Sequence, residues 1–127
     1  MSSFKVGQVW TYRTRPGEEA SRLYIARVDN LPNLTAFHIS VDGLRLKNPH
    51  SAAGYQTVLP HAPVDEETLK ASVVSLAAEN APMPDISEGY GHWREAYDSG
   101  QGGVFNIPVA KIIEYIESIV AKGHRDA

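Results

Sequence analysis

The chain has no cysteine and no long apolar run. Without a thiol, the 127-residue sequence has no disulfide, no thiolate nucleophile and no cysteine-ligated metal. No apolar stretch approaches the ~20 residues that a transmembrane helix needs. The opening residues, MSSFKVGQVW, also lack the apolar middle of a signal peptide. We therefore expect a cytoplasmic protein that does not act in a membrane.

Composition is that of an ordinary globular protein, with 43% hydrophobic and 21% charged residues. The length fits one domain, so residues 1–127 are predicted to form a single domain. Residues 1–64 hold seven Lys/Arg against four Asp/Glu, whereas residues 65–127 hold five against eleven. This asymmetry fits two separately solvated surfaces or a surface that steers a charged partner. Neither half has the dense basic cluster of a nucleic-acid-binding protein.

Alternating apolar residues predict antiparallel strands in the first half. Residues 6–14 and 22–29 form the first predicted hairpin, around a Pro-Gly turn. A second hairpin is predicted around Asp42-Gly43, a pair that suits a type I′ turn with positive φ at both positions. In that register, five residues face the core and four face outward. The predicted inward set is Phe37, Ile39, Val41, Leu44 and Leu46, and the outward set is His38, Ser40, Arg45 and Lys47.

Helical signals fill the second half, after an irregular, proline-containing stretch at 48–64. Asp65 is a predicted N-cap for a helix that runs to about residue 80, with Leu69, Val73 and Leu76 as its apolar stripe. Two more helices are predicted at about 85–97 and 108–123. The predicted fold is α+β, an N-terminal four-stranded, mainly antiparallel sheet packed on one face by three C-terminal helices.

The segment 88–117 is unusually rich in aromatic residues and glycine. Trp93 is predicted to be buried, whereas Tyr90 and Arg94 are predicted to form a recognition patch, since Tyr and Arg are enriched in interfaces. Gly89 and Gly91 weaken a helix, and close packing against a neighbour would explain them. The residues predicted to bind a partner are Tyr90, His92, Arg94, His38, Arg45 and His61.

No catalytic pattern is recognisable. The glycines at 100–103 precede a short extended segment, whereas a phosphate loop follows a strand and opens a helix. The histidines show no i, i+4 or i, i+2 spacing typical of metal ligands. His38, His50, His61 and His92 are therefore predicted not to converge on one site. We expect no metal, no cofactor and no catalytic residue.

Sequence strings along most of the chain resemble one family. These are VGQVWTYRTR near the start, HAPVDEETLKASVVSL in the middle, and PMPDISEGYGHWREAYDSGQGGVFNIPVAKIIEYIE toward the end. From about residue 4 to residue 119, the chain is similar to a family of small bacterial single-domain proteins of uncharacterised function. The resemblance carries over no catalytic residue. It implies an accessory or immunity-like partner of a bacterial toxin.

The function predicted from these features is a non-enzymatic protein-binding module, such as an immunity or inhibitor protein that neutralises a bacterial toxin. The alternative is a small-molecule-binding protein or an enzyme with a pocket between sheet and helices, using His38, His61, Tyr90 or Arg94. A homodimer formed through a sheet edge or the last helix is a third hypothesis.

Overall fold

A computed structural model describes residues 3–122. Within that range, seven strands and three helices follow one another along the chain. They are β1 (Val9–Tyr12), β2 (Leu23–Asn30), β3 (Thr35–Val41), β4 (Leu46–Lys47), β5 (Tyr55–Gln56), β6 (Leu59–Val64), α1 (Glu66–Ser72), β7 (Val73–Ala78), α2 (Ser87–Asp98) and α3 (Val109–Lys122). No helix in residues 3–122 combines the length and the apolarity needed to cross a bilayer.

The central sheet is antiparallel and has the strand order β6-β3-β2-β1-β7. The predicted α+β class is confirmed, with five strands in this sheet where four were expected. The additional pair β4–β5 forms a small separate sheet. One face of the central sheet, with Leu23, Ile25 and Ile39, joins residues of α1 and α3 in a single apolar cluster.

The second predicted hairpin is wrong. β3 ends at Val41, and its neighbours in the sheet are β2 and β6 rather than the segment 44–47. Gly43 has a positive φ of 62°, but Asp42 does not, so the turn is not type I′. The Asp42 carboxylate instead accepts hydrogen bonds from the Arg22 N–H and the Tyr24 hydroxyl, which directs the chain away from the sheet.

Two carboxylates hold the diverted segment in place. The N–H groups of Arg45 and Lys47 donate to Glu18 and Glu117 at 2.7 Å and 2.6 Å. The Arg15 guanidinium bridges the same two carboxylates. These backbone groups therefore find their partners outside β3, and β6 occupies the place predicted for residues 44–47.

Seven of the nine predicted side-chain positions around this turn are confirmed. The five apolar residues predicted to face the core are buried, and Arg45 and Lys47 are exposed. His38 and Ser40 were predicted to face outward, and that is wrong, because both are fully buried. Their side of the sheet is covered as well, which alternation along one strand does not reveal.

The first helix is shorter than predicted. The Asp65 cap is confirmed, since its carboxylate accepts the Thr68 N–H at 2.8 Å. The helix ends at Ser72, however, and the next six residues form the edge strand β7 beside β1. β-branched Val73 and Val74 favour a strand, and pairing with β1 outweighs the helical spacing of the apolar residues. Val74 and Leu76 are exposed as a result.

The stretch 48–64 is also more regular than expected, because β6 lies within it despite Pro60 and Pro63. Proline is tolerated there since β6 is an edge strand, where one side of the backbone needs no ladder partner. The free carbonyl of Pro63 accepts the Phe105 N–H at 2.9 Å, and the Asp65 N–H donates to the Phe105 carbonyl. The segment after α2 thus closes this edge of the sheet.

The last two helices lie close to their predicted positions, with Pro108 directly before α3. Residue 123, the predicted C-cap of α3, lies outside the described residues. The three helices do not share one face of the sheet as predicted. Trp93 of α2 contacts His38, whose side chain points away from the face of Phe37 and Ile39. α2 therefore covers the face opposite to α1 and α3.

Candidate functional site

A hydrogen-bonded line of three ionisable side chains crosses the face of the sheet beneath α2. Asp29 lies on β2, His38 on β3 and His61 on β6. Nε2 of His38 is 3.2 Å from Oδ2 of Asp29, and Nδ1 of His38 is 2.8 Å from Nε2 of His61. Both ring nitrogens of the fully buried His38 therefore have partners within the protein.

Strand register brings the line together. His38 pairs directly with Arg27 of β2, after an irregularity that shifts the register between Ile25 and Arg27. Asp29 follows two residues later on the same face, at the diagonal position from His38. On the other side, β6 pairs with β3 and places His61 next to the His38 ring.

α2 covers this line with aromatic rings. The Tyr90 and Trp93 rings meet the His38 ring edge-on, with centroids 4.9 Å and 4.7 Å away. The Trp93 indole N–H donates to the Gly103 carbonyl at 2.7 Å. At Gly89 an added Cβ would lie 2.7 Å from Cβ of His61, so glycine is what lets the helix approach. The predicted burial of Trp93 is confirmed, although it lies outside the apolar cluster of the opposite face.

Two guanidinium groups lie on the outside of these rings. Arg27 lies 4.2 Å from the Tyr90 ring centroid and forms a 3.0 Å ion pair with Asp29. Arg94 lies 5.6 Å from the Tyr97 ring centroid, and its ion pair with Asp98 is 3.2 Å long. The Arg27 and Arg94 side chains are 50% and 40% exposed, so both present charge to solvent. We call Arg27, Tyr90, Arg94 and Tyr97 the recognition surface.

A cavity of about 340 Å³ adjoins the recognition surface. It is lined by the apolar residues Ala26, Pro84 and Ile86 together with Arg27, Asp85, Ser87 and Tyr90. A different cavity of about 500 Å³ lies near α1, and none of the predicted binding residues lines it. Neither cavity is lined by His38 or His61.

The environment lowers the pKa of all three groups in the line. Burial and, to a lesser extent, the neighbouring His38 together lower the pKa of His61 to about 4. For His38, burial lowers the pKa and the Asp29 carboxylate opposes that change only in part. Burial alone would raise the pKa of Asp29, but hydrogen bonds from Tyr90 and Arg27 lower it. At neutral pH the line is one carboxylate and two neutral imidazoles.

These charge states fix the hydrogen positions. An ionised carboxylate only accepts hydrogen bonds, so Nε2 of His38 carries the proton that faces Asp29. Nδ1 of neutral His38 is then an acceptor, and Nε2–H of His61 donates to it. The remaining nitrogen of His61, Nδ1, lies against Gly89 of α2. The line can hold and pass protons, but its outer end is closed by the helix.

The prediction that the histidines do not converge is wrong for two of the four. His38 and His61 share a hydrogen bond although they are 23 residues apart and lie on separate strands. Spacing along the chain did not reveal this because β6 was not recognised as a strand. His92 is exposed on α2, and His50 is exposed in the loop between β4 and β5.

The six residues predicted to bind a partner do not form one site. Four of them, Tyr90, Arg94, His38 and His61, lie together at the junction of α2 with the sheet. Arg45 lies elsewhere, with its guanidinium 5.4 Å from the Tyr55 ring centroid. The structure adds Arg27 and Asp29, which the sequence analysis did not single out. The turn 31–34 was the available signal, because joining β2 to β3 as a hairpin brings both residues near His38.

Among residues 3–122, no group of three or more His, Asp or Glu side chains is placed to hold a metal ion. No family model matches the chain, and comparison with curated proteins and with solved structures found no match. The family resemblance drawn from the sequence strings gains no support from these comparisons.

Proposed function

We propose that the protein is a non-enzymatic protein-binding module that contacts its partner through the recognition surface. The observation that carries this proposal is the pair of half-exposed guanidinium groups, each held against a tyrosine ring and a carboxylate. Tyr and Arg dominate the binding energy of many interfaces. Side chains already fixed in place lose less entropy on binding, which favours affinity.

The adjoining cavity supports the same proposal. Binding energy concentrates where an anchor side chain of the partner enters a pocket that excludes water. The cavity beside Tyr90 has apolar wall and, at about 340 Å³, room for one such side chain. Arg27 borders both the cavity and the recognition surface, so a partner that fills the cavity also contacts the guanidinium.

The enzymatic alternative has weaker support. A general acid or base must come within hydrogen-bond reach of the substrate. Both nitrogens of His38 are already bonded, and Nδ1 of His61 lies beneath Gly89. A substrate would reach either imidazole only after α2 had moved. The small-molecule alternative keeps the cavity beside Tyr90 but loses the two histidines that were predicted to line it.

The class of partner is a separate question. A bacterial toxin as the partner, and a role as its immunity or inhibitor protein, rest on the sequence resemblance alone. No contact, charge or cavity in residues 3–122 favours a toxin over another protein. A cytoplasmic location likewise stays a prediction from the sequence.

A charge-reversal pair tests the proposal. Arg94→Glu removes a cation of the recognition surface, and Lys111→Glu is the matched control, an exposed helix cation with its own carboxylate three residues later. Proteins that the wild type captures from the native host would be purified. Calorimetry would then give the Kd of each for the wild type and for the two variants. We expect Arg94→Glu to raise Kd at least ~10-fold and Lys111→Glu to leave it unchanged. A partner bound equally well by both variants would overturn the proposal.

Self-association at β7 is a second candidate, favoured by exposed apolar side chains at that edge. Val74 is 62% exposed and Leu76 is 41% exposed, and no charged residue occurs in β7. Pairing with β1 is interrupted at two points, where Val74 and Ala77 are the extra residues, and such bulges hinder a regular strand ladder. Contact between two copies would therefore depend on side-chain packing. Sedimentation should show a dimer that Val74→Lys dissociates, and a wild-type monomer at every concentration would contradict this candidate.

A further inference from the structure

The hydrogen bond between the two imidazoles limits how many protons the site accepts. At 2.8 Å, one nitrogen must donate a proton and the other must offer a lone pair. His38 and His61 can therefore share one added proton, but they cannot both become imidazolium while this bond exists. The ring centroids are 5.1 Å apart, so two imidazolium rings would place two positive charges close together.

Within residues 3–122, the charged groups around the pair include no second carboxylate that contacts it, because Asp98 pairs with Arg94 and Asp85 accepts the Ser87 N–H. Four elements bring charged or titratable groups to this site, β2, β3, β6 and α2. The charged or titratable side chains at this site are those of Arg27, Asp29, His38, His61, Tyr90 and Arg94. Among the residues that the structure describes, Asp29 is the one carboxylate in direct contact with His38, and it already pairs with Arg27. A doubly protonated histidine pair would thus place three cations around one carboxylate.

Of the three helices, α2 is held to the sheet by the fewest buried residues. Trp93 is its one buried residue among twelve, whereas α3 buries Val109, Ile112 and Ile113 among those described. The residue before α2, Ile86, makes no side-chain cap, the Asp85 carboxylate accepts the Ser87 N–H at this end, and two glycines lie within the helix. Tyr90 and Trp93 both contact the His38 ring, and Gly89 lies against His61, so α2 docks directly on the histidine pair. Few buried contacts make a helix the first part of a fold to open.

We propose that the histidine pair makes the docking of α2 depend on pH, so that protonation of His38 and His61 releases the helix and dismantles the recognition surface. The consequence for partner binding rests on the proposed function, but the release of α2 does not.

The direction follows from proton linkage. In the released form both imidazoles regain a pKa of about 6.5, whereas docking lowers both, that of His61 to about 4. Between these values the released form binds more protons, so lowering the pH favours release. Well above pH 6.5 both forms are neutral at these sites, so docking no longer changes with pH. Since solvent screens the half-buried His61, we expect about a tenfold shift toward release between pH 7 and pH 5.

The two tryptophans provide the measurement and its internal control. The Trp93 indole N–H donates to the Gly103 carbonyl at 2.7 Å. On β1, the Trp10 indole N–H donates to the Gln8 side chain at 3.0 Å. Hydrogen exchange followed by NMR, corrected for intrinsic rates, reports both indoles and the α2 amides. Protection of Trp93 and of α2 should fall about tenfold from pH 7 to pH 5, while that of Trp10 and β2 stays constant.

A variant pair assigns the effect to the hydrogen-bonded histidines His38 and His61. His61→Gln keeps a hydrogen-bonding side chain without a titratable ring, and it should remove most of the pH dependence. His92→Gln removes an exposed histidine of the same helix and should leave the pH dependence intact. Should His61→Gln fail to fold, direct NMR titration of the wild-type histidines decides the question, since both must titrate below their ordinary range.

Hydrogen-exchange protection of α2 that stays constant from pH 7 to pH 4 would overturn the proposal. A pH dependence of this protection that His92→Gln abolishes would overturn it too. Ordinary titration of both His38 and His61 near pH 6.5 would overturn it as well. No partner takes part in these measurements. If α2 is released by acid but Arg94→Glu leaves partner binding unchanged, the proposed function fails and this inference stands.

Discussion

On one face of β3, Phe37 and Ile39 join the apolar cluster that α1 and α3 complete. On the other face of the same strand, His38 contacts a carboxylate, a second imidazole and two aromatic rings beneath α2. Both faces are buried, so burial alone does not distinguish them. They differ in the interactions that stabilise each face against the helix covering it.

The apolar face gains free energy from burial without needing partners, because the hydrophobic effect is not directional. The polar face gains only while every hydrogen bond is made and the imidazoles stay neutral, because an unsatisfied buried polar group is costly. We therefore expect the first face to carry the global stability. The second face should hold α2 conditionally, and it is the face that supports the recognition surface.

The largest expected effect is on the apolar face. Phe37→Ala removes a ring that is 1% exposed, and it should lower the free energy of unfolding by about 3–5 kcal/mol. Urea denaturation measures this, with exposed Lys111→Ala as a control that should stay within about 0.5 kcal/mol. A small loss at Phe37 would mean that this face is not the main source of stability.

Trp93→Ala tests the polar face. Loss of the one buried side chain of α2 should cost about 3 kcal/mol, chiefly in the local free energy that docks the helix. Hydrogen exchange should show protection lost in α2 and kept in β2 and β3. If protection instead falls uniformly, the two faces form one cooperative unit and the contrast between them disappears.

Two neighbouring glycines of α2 should respond with opposite signs. A Cβ at Gly89 would lie 2.7 Å from Cβ of His61, so Gly89→Ala should push α2 from the sheet and cost about 1–3 kcal/mol. Nothing lies within 4 Å of such a Cβ at Gly91. Gly91→Ala should therefore stabilise the helix by up to about 1 kcal/mol. Thermal denaturation of both variants measures the contrast, and equal effects would show that α2 does not pack against His61.

The smallest stability effect is expected at the recognition surface. The Arg94 ion pair with Asp98 is solvent-exposed, so Arg94→Ala should leave the free energy of unfolding close to that of the wild type. The sequence also predicted Tyr90 as part of this recognition patch. Tyr90→Ala should nevertheless lower the free energy of unfolding more than Arg94→Ala, because Tyr90 contacts His38 and its ring packs against Arg27. Equal losses in the two variants would assign Arg94 to the support of the fold rather than to recognition.

Features set by a few neighbouring residues could be predicted from the sequence. The Asp65 cap needs only the backbone three residues later, and the alternation from Phe37 to Val41 identifies one buried face. The periodic apolar residues of α3 identify a helix and its inner side. Burial of Trp93 and the grouping of Tyr90 with Arg94 on one helix follow from the same local spacing.

Strand partners were decided by the tertiary structure, because they depend on residues far apart in the chain. Whether β3 pairs with residues 44–47 or with β6 depends on where Glu18 and Glu117 bind the backbone of Arg45 and Lys47. Whether residues 73–78 continue a helix depends on the open edge of β1. In both cases the deciding residues are distant in the chain, so the local sequence of the segment does not predict its strand partner.

The sequence by itself determined the α+β class, the inward apolar face of β3 and the position of the last helix, since these depend on local periodicity and capping. Only the tertiary structure decided that α2 covers the second face and that His38 meets His61 and Asp29 there. An imidazole at an alternating position is compatible with solvent or with burial. Its environment is set by the strands beside it and the helix above it, and that environment controls its charge.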